Sequence, residues 1–195
     1  MLQAAFIVLG YLLGSISFGI LMSKAFGLPD PRTVGSGNIG ATNIARSGKK
    51  LPAMLTLLGD AGKGWLAVFL AQHVGLSDGY ICAVALAAFL GHCYPIFAGF
   101  KGGKGVATAA GVLFAFSMWV GLAVLATWIV VFAISRISSV SALIASLVAP
   151  LVSWYCLAYK GYGTTALILA ILLIWRHKSN IQKLLAGTEA GFNKK

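Results

Sequence analysis

An all-α, polytopic membrane fold is predicted by three observations: an apolar composition, a series of apolar runs of helical length, and basic residues gathered between those runs. Hydrophobic residues make up 59% of the chain and charged residues only 10%, and the mean hydropathy is +0.90. A soluble domain carries a far more even mixture. The 195 residues suffice for one domain, 1–195, and no Pro/Ser-rich linker divides them.

The apolar runs fall at 6–22, 51–70, 80–94, 107–134, 140–157 and 164–175. The first has no basic residues before it, no small-residue cleavage site after it, and further spans behind it, so it reads as a retained span. Small residues Gly10, Gly14 and Gly19 share one of its faces and suit close helix packing. The fourth run would stretch roughly 42 Å as a single helix, against a hydrocarbon core of about 30 Å. It is too long for one crossing and short for two.

Basic residues decide between these options, because Lys and Arg near span ends accumulate on the cytoplasmic side. A turn near Ser117 to Gly121 gives seven spans with the N-terminus outside and the C-terminus cytoplasmic. All fifteen basic residues except Lys63 and Lys160 then lie in the cytoplasm. Without the turn, Arg136 and the basic C-terminal tail are sent outside. The net charge of +11 is therefore mainly a topological signature, and a nucleic-acid partner is not expected. Cys82, Cys93 and Cys156 lie in or beside apolar runs and form neither a disulfide framework nor a metal-ligand pattern.

Three familiar patterns fail their context. Gly35 to Gly40 matches GxGxxG but sits between membrane helices, where a dinucleotide fingerprint needs a strand before it. Gly99 to Gly105 is one residue short of a P-loop and ends in Gly where Ser or Thr should hold magnesium. His73 and Asp78 have the HxxxxD spacing of an unrelated class of acyltransferases, yet their loop faces away from the basic, glycine-rich segments.

Three other segments carry chemistry. In GSGNIGATN at 35–43, followed by Arg46, the glycines allow close backbone approach. Ser36, Asn38, Thr42 and Asn43 offer neutral donors there, and Arg46 offers a fork matched to phosphate oxygens. In KGGKGVAT at 101–108, bare N–H groups near a helix start, flanked by Lys101 and Lys104, form a phosphate cradle. Directly after the last run, His177 and Asn180 stand three residues apart, so one helical turn aims both at one point. His177 can move a proton and Asn180 can orient a hydroxyl. Polar turn loops, topology markers and a basic surface tail are the plain alternatives for the three segments. Asp60 and Lys63 lie about 13 Å inside the second span, where unpaired charge is costly. They are expected to pair with each other or to reach the polar site.

Together these segments resemble the bacterial acyl-phosphate:glycerol-3-phosphate acyltransferase family, the PlsY type, in motif order, spacing, length and span number. GSGNIGATN with Arg46 is similar to its first motif, KGGKGVAT to its second, and the stretch with His177, Asn180 and Glu189 to its third. The Asp60-x-x-Lys63-Gly64 element also fits its pattern. The resemblance implies a seven-helix enzyme of the bacterial inner membrane with a cytoplasmic active site. It would move a fatty acyl group from acyl phosphate to sn-glycerol 3-phosphate, releasing lysophosphatidic acid and phosphate. Acyl phosphate is a mixed anhydride whose carbonyl is already activated, so neither cofactor nor metal is expected. By position, Ser36, His177 and Asn180 would handle the hydroxyl and carbonyl. Arg46 and Lys104 would neutralise phosphate, helped by Gly37, Asn38, Thr42, Asn43, Lys101, Gly102, Gly103 and Gly105. Asp60, Lys63 and Glu189 would support the site. A transporter of an anionic metabolite or lipid is the competing reading; it needs polar groups near the membrane midplane and structural repeats. A metal-dependent phosphatidyl-alcohol transferase needs clustered carboxylates, and the chain has four well-separated acids.

Overall fold

The computed structural model describes residues 1–192, and all regular structure among them is helical. The helices are α1 (Leu2–Ser15), α2 (Phe18–Ala25), α3 (Ala41–Arg46), α4 (Lys50–His73), α5 (Asp78–Cys93), α6 (Val106–Phe116), α7 (Met118–Ser135), α8 (Ser138–Cys156), α9 (Lys160–Arg176) and α10 (Lys178–Leu185). Five segments are long and apolar enough to cross a membrane: Leu2–Ala25, Lys50–His73, Asp78–Ala98, Met118–Ser135 and Ser138–Cys156. At ~1.5 Å per residue, α6 reaches only about 16 Å and α9 about 26 Å.

The first of these segments is broken. Ile16 and Ser17 leave the helical conformation between α1 and α2, which frees the Ile16 carbonyl inside an apolar region, where an unpaired backbone group is expensive. Lys63 Nζ donates to that oxygen at 2.7 Å and forms an ion pair with Asp60 Oδ1 at 2.8 Å. Both side chains are only 3% exposed. The charged pair within α4 thus ties the broken span to its neighbour.

The long fourth run of the sequence does turn, at Ser117, whose φ of −163° and ψ of 134° are extended. The Ser117 N–H still closes on Leu113 O and its carbonyl accepts from Gly121 N–H. One residue therefore ends α6 and opens α7.

Close approach, not side-chain bulk, joins the first helices. α1 lies along α5 and α4 along α6. A methyl group built at Gly14 would collide with the Ala88 backbone, and one at Gly91 with the Tyr11 carbonyl. Gly64 and Gly111 sit equally tight against Thr108 and Ala61. Such contacts suit lipid, where apolar side chains gain nothing from leaving water and backbone proximity supplies the dispersion. Further on, α7 packs on α8, α8 on α9, and α9 returns to α5. At one end of the bundle Tyr162 Oη donates to Asp78 at 2.6 Å, which places the His73–Asp78 loop there. The three glycine-rich or polar segments meet at the other.

Candidate active site

The segment before α3 is shaped by one side chain. Asn43 is buried; its Oδ1 accepts from the Ser36 N–H at 2.9 Å, and its Nδ2 donates to the carbonyls of Pro31 at 2.9 Å and Val34 at 3.1 Å. The amide therefore knits the loop together with both of its N–H groups engaged, and Asn43 still lines the cavity, where its Oδ1 keeps a second lone pair. The knitted loop presents Ser36 and Asn38 to a cavity, while Thr42 reaches Ser138 Oγ at 3.2 Å. Arg46, exposed at the end of α3, donates from Nη2 to Ala190 O at 2.6 Å and lies over the Phe192 ring at 5.5 Å from its centroid.

The second segment, between α5 and α6, is held from both sides. The Gly103 N–H donates to His92 O at 3.2 Å. Arg176, the last residue of α9, donates to Gly103 O at 2.9 and 3.1 Å and to Gly102 O at 3.1 Å, with its guanidinium stacked over Tyr94. A methyl group at Gly102 would meet the His92 and Cys93 carbonyls, and one at Gly103 the His92 ring. These two glycines are required by the protein's own packing as much as by any ligand. Beyond them Gly105, Val106 and Ala107 line the cavity at the start of α6, where unpaired N–H groups and the helix dipole favour an anion.

The third segment closes the arrangement. Lys104 Nζ donates to Asn180 Oδ1, Asn180 Nδ2 donates to Glu189 Oε1 at 2.6 Å, and Ser139 Oγ donates to the same oxygen at 2.6 Å. A continuous polar chain thus crosses from the α6 loop through α10 to α8. His177 is 3% exposed and its Nδ1 lies 2.8 Å from Leu173 O. A carbonyl can only accept, so Nδ1 carries the proton and Nε2 keeps a lone pair.

Burial sets the charges of these groups. It pushes the His177 imidazole down to about 4, aided by the nearby Lys104 charge and opposed by the bond to Leu173, so the ring is neutral at physiological pH. Burial also lowers the Lys104 ammonium below the ordinary lysine value, against the pull of Glu189 and with the push of Lys183, Arg46 and Arg176.

One cavity of about 260 Å³ collects these features. Its polar end holds Ser36, Asn38, Thr42, Arg46, Lys104, His177, Asn180 and Glu189. Its remainder runs between α6, α7, α8 and α9 over Leu113, Val124, Trp128, Ala142, Ala145, Ala149, Ala166 and Leu169. The α8 lining residues, from Ser138 to Ala149, recur at three- and four-residue intervals, so this face is about 16 Å long. Alanines on α8 and α9 make the room. Asp60 and His92 also line the cavity. Gly37, Lys63, Lys101, Gly102 and Gly103 lie outside its lining, and Lys101 is exposed.

The sequence profile of the family described as glycerol-3-phosphate acyltransferase matches residues 4–187. The chain belongs to this glycerol-3-phosphate acyltransferase family. A relative from Methylobacillus flagellatus, named glycerol-3-phosphate acyltransferase, is 65% identical over 99% of this chain and 98% of its own. One of the same name from Thiobacillus denitrificans is 51% identical over the full length of both. Among solved structures, PlsY, an integral membrane glycerol 3-phosphate acyltransferase, superposes in its glycerol 3-phosphate form with a TM-score of 0.94. That match has 38% identity and covers 99% of this chain and 96% of that one. Its lysophosphatidic acid form gives a TM-score of 0.92 at 36% identity.

For a member of this family, sequence reasoning overlooked Arg176, His92, Ser138 and Ser139. Arg176 reads as an ordinary charge at a span end, and His92 as a packed residue of an apolar run. The two serines read as the polar start of a helix. Only the fold brings them to the glycerol-3-phosphate acyltransferase motifs.

Proposed function

We propose that this chain transfers a fatty acyl group from acyl phosphate to sn-glycerol 3-phosphate, giving lysophosphatidic acid and phosphate, an initial step of membrane phospholipid synthesis. One observation carries the reading: a single cavity joins a polar end able to hold two phosphates to an apolar channel, the two together running about 16 Å along α8. The acyl tail fits the small-residue channel between α8 and α9. Its phosphate head belongs at the α6 N-terminus, where Gly105, Val106 and the Lys104 ammonium converge. Glycerol 3-phosphate takes the opposite wall, its phosphate on Arg46 and its backbone across Ser36 and Asn38. Charge-assisted bonds to both phosphates offset the repulsion between two dianions.

The reaction then follows from placement. The primary hydroxyl attacks the acyl carbonyl carbon; the new C–O bond forms as the bond to the phosphate oxygen breaks, and the hydroxyl proton passes to the departing phosphate. His177 accepts the hydroxyl hydrogen bond at Nε2 and so aims its oxygen. Ser36 and Asn180 hold the hydroxyl and the carbonyl. With a donor that is already activated, orientation and preorganised charge supply the catalysis. The transporter reading finds no support, since the polar groups gather at one end of the cavity.

The proposal extends to placement in the bilayer: seven crossings in the inner membrane as one domain, N-terminus outside and site in the cytoplasm. It is supported by the basic segments 24–50, 101–104, 136 and 176–183, which all fall at the site end of the helices. Single cysteines at Ser36 and Asn180 in sealed, right-side-out cells should resist membrane-impermeant reagents, and labelling at either would overturn the topology. The activity itself is tested with purified protein in lipid, acyl phosphate and glycerol 3-phosphate, measuring lysophosphatidic acid and phosphate release. Equal absence of both products would refute it.

A further inference from the structure

The trio Asp60, Lys63 and His92 is more than the mechanism uses. If Asp60 served only to neutralise Lys63, the pair could sit anywhere in the bundle. Instead Asp60 lines the cavity together with His92, both at most 4% exposed. His92 Nδ1 faces Asp60 Oδ1 at 3.6 Å and is buried with no hydrogen-bond partner among the described residues. A fully buried imidazole nitrogen is rarely left so. The other edge of the ring, at Nε2, lies against Gly103 so closely that a methyl group there would not fit. The His92 carbonyl meanwhile accepts from the Gly103 N–H. His92 thus touches the glycine loop twice, through ring and backbone, while Asp60 stands behind it.

We propose that Asp60 and His92 form a positioning pair, Asp60 fixing the imidazole and His92 setting the loop at Gly103 for the phosphate head of the acyl donor. The inference rests on the assignment of that head to the loop at 102–105. The open 3.6 Å gap between Nδ1 and the carboxylate closes to a hydrogen bond when a phosphate settles on the loop and presses it against the ring. Catalytic hydrogen bonds that are long in a free enzyme commonly tighten in this way. His92 then acts through the loop and not on the reacting atoms.

Two substitutions separate positioning from packing. His92→Asn places an amide nitrogen where Nδ1 was and leaves nothing at Nε2; His92→Gln places its amide end at Nε2. Both lose the ring and share whatever stability its packing supplies, so their difference isolates the contact with the loop. His92→Asn should raise KM for acyl phosphate on the order of tenfold or more. It should raise the inhibition constant of inorganic phosphate in step and leave KM for glycerol 3-phosphate unchanged. His92→Gln, which keeps a group against the loop but loses the Nδ1 link to Asp60, should raise the first two by a clearly smaller factor. Equal effects of the two substitutions, or a change confined to glycerol 3-phosphate, would overturn the pair. An inactive wild-type protein would instead sink the function on which it rests. Should neither variant insert, 15N-histidine NMR of the wild type decides: added inorganic phosphate should shift the His92 Nδ1 signal toward that of a hydrogen-bonded nitrogen, and a signal that stays put at saturation refutes the closure.

Discussion

Replacing Lys104 by alanine removes the one ammonium group that, among the described residues, lines the cavity, and its cost follows from the geometry. At about 4 Å from a phosphate charge, an ammonium gains ~4 kcal/mol at an effective dielectric of 20. Water entering the vacated space returns part of this. Measured charge-assisted bonds lie near 1.5–3 kcal/mol, which is roughly a 10- to 150-fold loss in kcat/KM. Lys104→Ala should show at least that loss, because Asn180, which accepts from Lys104 and donates to Glu189, also loses its anchor. The pH profile gives a second reading. Burial, joined by the charges of Arg46, Lys183 and Arg176, holds the Lys104 ammonium below the usual lysine value. Wild-type kcat/KM should therefore decline on the alkaline side before an ordinary lysine would deprotonate. Lys104→Arg, which stays charged, should lose that alkaline decline even if its rate is lower. The assay is phosphate release from acyl phosphate in lipid nanodiscs, normalised to inserted protein. Wild-type kcat/KM in Lys104→Ala, or an unmoved alkaline limb in Lys104→Arg, would refute the reasoning.

Gly103→Ala should raise KM for acyl phosphate and also lower the thermal midpoint, since its methyl group displaces the loop against the buried His92 ring; unchanged kinetics would count against the cradle. Arg46→Lys should leave kcat/KM well below wild type, because an ammonium keeps the charge but not the planar fork; full activity would remove Arg46 from phosphate binding. Ala149→Phe fills the apolar end of the cavity, so preference for short over long acyl phosphates should rise about 10-fold or more; an unaltered chain-length profile would place the tail elsewhere. His177, held down to about 4 in the folded protein against ~6.5 when unfolded, is protonated first in the unfolded chain. Folding stability should thus be complete above pH ~6.5 and fall as pH drops toward 4. His177→Gln should flatten that part of the thermal-midpoint profile, and identical profiles would contradict the buried neutral ring.

The glycine-rich loops were legible because their composition serves no membrane span: glycines interleaved with Lys104, or followed by Arg46, have no place in lipid. The turn at Ser117 followed from length and charge alone. What stayed hidden depends on direction. Sequence cannot say that the Asn43 amide turns inward to knit its loop while Asn180, of the same chemistry, faces Lys104. Arg176 and Lys101 look alike as span-end cations, yet one grips two loop carbonyls and the other is exposed. The apolar part of the cavity was invisible for a related reason. Ala142, Ala145, Ala149 and Ala166 at helical spacing read as close-packing faces, and only the separation of α6 from α8 by α7 turns them into the wall of a space.

The backbone-to-backbone seams at Gly14, Gly91, Gly64 and Gly111 have a thermal consequence. Prying these helices apart within a bilayer exposes them to hydrocarbon rather than water, so the step lacks the heat-capacity increment of about 12–15 cal/mol/K per residue that bends the stability curve of a soluble domain. Dispersion between backbones does not fade on cooling as the water-driven force does. The scaffold that holds the site should therefore have no cold-labile side: its grip changes monotonically with temperature, and loss of activity in the cold would have to originate in the surrounding lipid or in the chemistry.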